Sequence, residues 1–327
     1  MSLELINFIR EGEKFLIAGH KEPDGDCIGS QLALASVLRR MGKKTILCSA
    51  GPFKRTEIKP YKSLFTSVPD ENDRAGARVI VLDCPSLDRT GTLQQYLEGL
   101  PLAVIDHHEA GNKAAEMDKV LARYIDEKAY STTILVKKLI EALGLELERD
   151  EAEFLFLGLC TDTGFFRHVD SDGSEVFETT VSLIRSGANP KAAYFAMYGG
   201  KSFGSRRLVG HMLVNAEALF DGKLILSTEE YEHTCLYGHE SRDSEALYQL
   251  LQSITGVEAI VLLRQETPER CTVGLRSRAW VDVGHIAESF GGGGHQNAAG
   301  FTYAGIISIL RPKIISAFEN IFYQSNR

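Results

Sequence analysis

The chain lacks a membrane-length apolar run, a Cys-x-x-Cys pair and any Lys/Arg-rich block. No run approaches the length that spans a bilayer, so no membrane partner is expected. The start, Met1 to Glu11, has neither a basic leader nor a small-residue cleavage site and reads as a short amphipathic helix. Cytoplasm is the expected location. The six cysteines, at 27, 48, 84, 160, 235 and 271, are scattered. That spacing excludes a disulfide framework and a thiolate zinc site. Cys27, Cys84 and Cys160 stand beside or near acidic residues, but buried small side chains in a reducing compartment are the expected reading. The net charge is −8. A chain without a broad basic face does not grip long duplex nucleic acid, so any nucleic-acid substrate is small and held at a few points. Bridging cations let an acidic pocket bind phosphates. Neither a long repeat nor a low-complexity segment is present.

What is there suits two domains: 327 residues, 44% hydrophobic and 24% charged. Residues 15–150 alternate short apolar runs with helical patterns. Phe15–Gly19, Thr45–Cys48, Val79–Leu82 and Leu102–Ile105 are continuous rather than alternating, which suits strands covered on both faces. A helical pattern follows from Cys27 to Met41. The rhythm predicts a parallel sheet with flanking helices. Helices are expected from Ser131 to Leu143, after a cap at Asp150, and over 174–186. Ser186 to Pro190 and Gly199-Gly200 break the pattern. The boundaries that follow are a first domain over 1–187, a linker over 188–201 and a second domain over 202–327. In the second, Ser202–Phe220 reads as a helix, Leu224–Ser227 as a strand, and Ala259–Leu263 and Cys271–Arg276 as paired strands. The fold class is thus α/β: a parallel-sheet domain followed by a smaller mixed α/β domain, with the active site expected in the cleft between them.

Acidic and imidazole side chains close these runs. His20-Lys21-Glu22-Pro23-Asp24-Gly25-Asp26 follows the first strand and leads into a helix N-terminus, where open parallel sheets place ligands. Asp83 ends the third run, Asp106-His107-His108 ends the fourth, and Asp162 ends an apolar helix. Taken singly, each reads equally well as a cap or turn residue. Together they bring four carboxylates and at least two imidazoles to one edge, and such charges repel without a counter-charge. Two divalent cations resolve this. Oxygen and imidazole donors without thiolates point to Mn2+ or Mg2+, with Zn2+, Co2+ or Fe2+ as alternatives. Two-metal hydrolysis at phosphorus is the natural chemistry.

This pattern resembles the DHH phosphoesterase superfamily. The resemblance runs through His20-x-x-x-Asp24-Gly-Asp26-x-x-Gly29-Ser30, Asp83, Asp106-His107-His108 and Thr161-Asp162-Thr163-Gly164. It continues through Leu275-Arg276-Ser277 and Phe290 to Gly300, which is similar to the DHHA1 signature. Length and motif order are those of the short nanoRNase and pAp-phosphatase branch. The resemblance implies that His20, Asp24 and Asp83 hold one Mn2+. Asp26, Asp83, His107 and Asp162 hold the other, with Asp83 bridging. It implies that His108 faces the scissile phosphate and that Asp106 supports the histidines. Lys21-Glu22 departs from the small polar pair common in members, with the ligand spacing kept.

In the second domain, Gly291 to Gly294 can bring backbone N–H groups close to an anion. His295 adds a donor, and Arg276 and Arg278 add guanidinium forks for phosphate. Gly292, Gly293, Gly294, His295, Arg276 and Arg278 are therefore the candidate substrate contacts. Arg167 and His168 read equally as cleft or surface residues. The expected partners are short RNA oligonucleotides or small phosphorylated nucleotides such as pAp. Dinucleotide or polyphosphate hydrolysis and a non-catalytic nucleotide-binding module are the rival readings. The oligomeric state is open.

Overall fold

The computed structural model of the chain describes residues 3–108 and 120–324. Among them, no helix is long and apolar enough to cross a membrane. The chain divides into two compact units, Met1–Gly200 and Lys201–Arg327.

The first unit runs α1 (Leu3–Glu11), β1 (Lys14–Ala18), α2 (Gly25–Arg40), β2 (Lys44–Cys48), α3 (Glu71–Arg74), β3 (Arg78–Leu82), α4 (Gln94–Leu97), β4 (Leu102–Asp106), β5 (Val120–Ile125), α5 (Thr132–Ala142), α6 (Arg149–Asp162), α7 (Ser174–Arg185) and α8 (Pro190–Tyr198). Its sheet has the order β2-β1-β3-β4-β5, with every pairing parallel. The continuous apolar runs are explained by burial on both faces. Phe15, Ile17, Ile80, Leu82, Ala103 and Ile105 join one core with helix residues such as Ile28 and Leu155. Leu16, Ala18, Val79, Val81 and Val104 face a second core with Leu93 and Leu97. Such two-sided strands need crossover connections, which leave the strand C-termini along one edge.

α2 and α6 approach unusually closely. A methyl group at Gly29 would lie 2.4 Å from the Phe154 carbonyl oxygen, and one at Gly158 would lie 3.0 Å from the Asp26 Cα. Glycine at both positions lets the start of α2 lie beside the end of α6. That contact brings the Asp26 and Asp162 ends together.

The second unit runs α9 (Phe203–Val214), β6 (Glu217–Leu219), β7 (Leu224–Glu229), α10 (Tyr231–Tyr237), α11 (Ser244–Gln252), β8 (Ala259–Thr267), β9 (Arg270–Ser277), α12 (Val283–Ser289), β10 (Gly293–His295), β11 (Ala298–Ala304) and α13 (Ile307–Gln324). Its sheet has the order β10-β11-β9-β8-β7-β6. β7 and β8 are parallel and the other pairs antiparallel, which makes the sheet mixed. Residues of α9 and α11 cover one face, and those of α12 and α13 the other.

Local readings need three corrections. The helix expected over Ser202–Phe220 stops at Val214 with Asn215 as its C-cap. Residues 217–219 then pair with β7 through a turn in which Phe220, Asp221 and Gly222 all have positive φ. The sixth helix is capped by Glu148, in a reciprocal box with Glu151, rather than by Asp150. The stretch read as a linker contains α8. Asn189 caps it by accepting from Ala192 N, and Pro190 sits in its first turn, where a missing N–H costs nothing.

Candidate metal centre

The centre lies at the C-terminal ends of β1, β3 and β4 and at the start of α2 and end of α6. His20 follows β1. Its Nδ1 lies 2.8 Å from the Lys21 carbonyl oxygen, which only accepts, so Nδ1 carries a proton. Nε2 is turned to Asp83 Oδ2 at 3.4 Å and Asp24 Oδ1 at 3.8 Å. His107 is oriented the same way, with Nδ1 donating to the Ala129 carbonyl at 3.1 Å. Its Nε2 stands 3.1 Å from Asp162 Oδ2, 3.5 Å from Asp83 Oδ1 and 3.9 Å from Asp26 Oδ2. Asp83 joins the two histidines from a left-handed backbone, φ 60°, which is unusual for a residue with a side chain. Thr132 Oγ1 donates to its Oδ1 at 3.0 Å and its own N–H donates to the Ile105 carbonyl at 3.0 Å.

Two carboxylates also serve the fold. Asp24 caps α2 by accepting from Cys27 N at 3.1 Å. Asp26 is fully buried and accepts from Thr132 N at 2.6 Å and Thr133 N at 2.9 Å. It caps α5 from another helix, where the formal cap Ser131 makes no capping bond. Asp106 is also fully buried. Its Oδ1 accepts from His108 N at 3.2 Å and from His108 Nδ1 at 2.9 Å. His108 is 44% exposed, so its ring is braced at one end and open at the other.

The electrostatics are those of several carboxylates buried close together. Burial raises the Asp26 carboxyl well above the carboxylate range, and Asp162 and Asp83 add to it. Burial pushes Asp83 up to about 6 against the opposing bond from His20. Burial opposes ionisation of Asp24 too, but His20 wins and pulls it down to about 2. For His107, burial disfavours the proton, yet Asp162 outweighs it and lifts the imidazole to about 9. Burial also disfavours the proton on His20, which the Asp24 and Asp83 carboxylates nevertheless hold in place. His108 is raised by its bond to Asp106. The carboxylates thus recruit protons when no other cation is supplied.

The donors fit divalent cations. Three groups place their donor atoms within 4.8 Å of one another: Asp26, His107 and Asp162; Asp83, His107 and His108; His20, Cys27 and Asp83. Asp24 lies outside these groups, though 3.8 Å from His20. Asp106 Oδ2 is buried with no hydrogen-bond partner among the described residues. Carboxylate and imidazole donors grouped in this way suit a divalent cation.

Comparison with known proteins agrees with this chemistry. The model of the DHH family, N-terminal domain, matches residues 14–159, and that of the DHHA1 domain matches residues 233–324. The bifunctional oligoribonuclease and PAP phosphatase NrnA of Thermus thermophilus is 30% identical over 291 residues, covering 89% of this chain and 84% of that protein. The chain belongs to the DHH phosphoesterase superfamily. Phosphoester hydrolysis is therefore its class of activity. The cyclic-di-AMP phosphodiesterase GdpP of Bacillus subtilis is 28% identical over 324 residues, covering 94% of this chain and 47% of that protein. An exopolyphosphatase-related protein from Bacteroides fragilis shares the fold, with a TM-score of 0.80 at 24% identity over 98% of this chain and 96% of that one. In this DHH chain Asp162 lies beyond the span matched by the N-terminal family model, yet its carboxylate closes the His107 group.

In the DHHA1 unit the six candidate contacts separate. Arg276 on β9 and His295 on β10 are each register partners of Ala298, so they flank it on one sheet face. The Arg276 guanidinium lies over the Tyr248 ring at 4.7 Å. Arg278 is exposed, past the end of β9. The glycine block forms an edge hairpin rather than an open loop. A methyl at Gly292 would lie 2.4 Å from the Gly300 carbonyl oxygen, and one at Gly294 2.4 Å from that of Ala298. Strand packing therefore accounts for those two, while a methyl at Gly293 would meet open space. Arg167 and His168 are exposed and bond each other, Nη2 to Nε2 at 3.1 Å.

Sequence reasoning missed two residues at the centre, Thr132 and Arg55, and read a third, Cys27, as a buried small side chain. Thr132 holds Asp83, Arg55 stands 3.9 Å from Asp24 Oδ2, and Cys27 joins the His20 group. Thr132 had a signal, a hydroxyl at a helix start. Arg55 had none, because it comes from an irregular segment between β2 and α3.

Proposed function

We propose that the chain is a metal-dependent phosphoesterase that releases mononucleotides from very short oligoribonucleotides and phosphate from 3′-phosphoadenosine 5′-phosphate. The observation that carries this reading is the convergence of His20, His107, Asp26, Asp83 and Asp162, with His107 Nε2 within 3.1–3.9 Å of three carboxylates. In this reading His20, Asp24 and Asp83 hold one divalent cation, and Asp26, Asp83, His107 and Asp162 the other, with Mn2+ preferred over Mg2+ or Co2+. Such a pair supplies an acidified water and charge relief for an in-line displacement at phosphorus.

The protein's part is orientation. Backbone carbonyls of Lys21 and Ala129 fix the two ligand imidazoles, so each presents Nε2. Asp106 keeps a proton on His108 Nδ1 and leaves Nε2 to face a phosphate oxygen or the leaving group. Arg276 and His295 contact the far phosphate or sugar of the substrate, and Arg278 and the glycine block border them. The relatives' names support nucleotide substrates, and the net charge of −8 supports short ones. The similarity to GdpP keeps a dinucleotide signal as the second reading.

The test is a panel of a linear dinucleotide, a cyclic dinucleotide, pAp, polyphosphate and a long single strand, each with Mn2+. The linear dinucleotide and pAp are expected to turn over fastest. Faster hydrolysis of the long strand or of polyphosphate would overturn the proposal.

A further inference from the structure

Cys27 is a sulfur in a centre otherwise built from oxygen and nitrogen. It lies in the first turn of α2, fully buried, and its backbone N–H donates to the Asp24 carboxylate that caps the helix. A sulfur of Cys27, an imidazole nitrogen of His20 and a carboxylate oxygen of Asp83 lie within 4.8 Å of one another. The end of β1 makes room for that sulfur, since a methyl at Gly19 would lie 2.2 Å from Sγ. Gln31 Nε2 donates to Sγ at 3.3 Å, while Gln31 Oε1 and Ser30 Oγ are buried with no hydrogen-bond partner among the described residues. The sulfur is therefore positioned by α2 and left beside two metal-ligating groups.

We propose that His20, Cys27 and Asp83 form a thiolate-bearing site for a soft divalent cation, Zn2+ or Cd2+, which competes there with the harder ion held by His20, Asp24 and Asp83. This rests on the metal reading of the centre. One sulfur, one nitrogen and one oxygen, completed by water, make the four-coordinate set that Zn2+ takes readily. The Cys27 thiol proton passes to solvent as the ion binds, and the S–metal bond replaces S–H. Mn2+ has little affinity for sulfur and leaves the thiol protonated. A soft ion so held withdraws His20 and Asp83 from the working arrangement, so the site acts as a built-in point of inhibition.

The experiment titrates metal-free, full-length protein with Cd2+ and follows the ultraviolet thiolate-to-cadmium charge-transfer band, with Mn2+ binding measured in parallel by calorimetry. Cys235→Ala serves as the background, to remove the exposed thiol. Cys84→Ala is the control for the buried thiol next to Asp83. The band is expected in the background and in the Cys84 variant. It is expected to be lost in Cys27→Ala and Cys27→Ser, with Cd2+ affinity lowered by about tenfold or more and Mn2+ affinity little changed. A full-strength band in either Cys27 variant overturns the proposal. So does a background protein that binds Mn2+ yet shows no band with Cd2+. A protein that binds neither ion overturns the metal reading as well, which separates the two failures.

Discussion

Replacing Asp83 with asparagine removes one charge and almost no volume. Its carboxylate stands 3.4 Å from His20 Nε2, 3.5 Å from His107 Nε2 and 3.6 Å from His108 Nδ1. Asparagine tolerates the left-handed backbone that the position requires and can still accept from Thr132 Oγ1. The fold should therefore survive. Two unit charges about 4 Å apart interact by about 4 kcal/mol at an effective dielectric of about 20. At about 1.4 kcal/mol per factor of ten, and with a divalent ion carrying twice the unit charge, loss of this carboxylate should weaken divalent-cation binding by at least about three orders of magnitude. The assay is calorimetric titration of metal-free protein with Mn2+, alongside Mn2+-dependent hydrolysis of a dinucleotide. Circular dichroism and thermal melting check the fold. Because Asp83 is buried and its carboxyl is pushed up to about 6, the metal-free variant should melt no lower than wild type at pH 7. A folded variant that keeps Mn2+ affinity within about tenfold, or keeps its hydrolysis, would refute the bridging role.

Other perturbations separate the roles of individual residues. Asp26→Ala removes the acceptor for two buried backbone N–H groups, so it should cost about 2–5 kcal/mol of metal-free stability by denaturant titration. Asp162→Ala removes the carboxylate that holds the His107 proton, so it should cost about 1–3 kcal/mol at about pH 7 in the same titration while abolishing Mn2+-dependent turnover. His107 sits at about 9 against 6.5 for a free imidazole, so its proton stabilises the metal-free fold below pH 6.5 and that contribution is lost as pH rises through about 9. Since Mn2+ must displace that proton, the Mn2+-induced rise in melting temperature should grow between pH 6.5 and 9, and a flat profile would contradict His107 as a ligand. Arg276→Ala should raise KM for a dinucleotide with Mn2+ affinity unchanged, and a change in metal affinity instead would remove Arg276 from substrate binding.

The parts legible from sequence were those where burial and period leave a single solution. Val79 to Leu82 is apolar at every position because both faces of β3 are covered, and this marked a parallel strand directly. An aspartate at the end of such a run has no core to join, so Asp83 and Asp106 pointed to the edge where they are found. Residues whose role depends on another segment were not legible. Asp26 reads locally as the first turn of α2, and only the folded chain shows it capping α5, about a hundred residues away. The glycine block reads as a loop because glycine carries no period. What fixes Gly292 and Gly294 is the closeness of β11, a tertiary fact. Asn215 ended a helix that propensity alone would have extended, because β6 gains a partner in β7.

The double duty of Asp24 and Asp26 explains why the centre can be so acidic without opening the fold. Both carboxylates are tied to helix N-termini, where backbone N–H groups and the helix dipole offset part of their charge. Asp83 and Asp162 have no such support from a helix start; Asp83 has one hydroxyl donor, and both lean on imidazoles. The compensation is therefore uneven across the site. Metal binding should be felt most by the His20 and His107 rings, which give up protons, and by the Asp26 and Asp83 carboxyls, which burial holds above the ordinary carboxylate range, and least by Asp24, which His20 already holds ionised. Nuclear magnetic resonance of the histidine rings would read this directly. On adding Mg2+ as a diamagnetic ion, the His20 and His107 resonances should shift to neutral, Nε2-bound signatures. The exposed His168 ring, which lies outside the metal-ligating groups, should stay where it was.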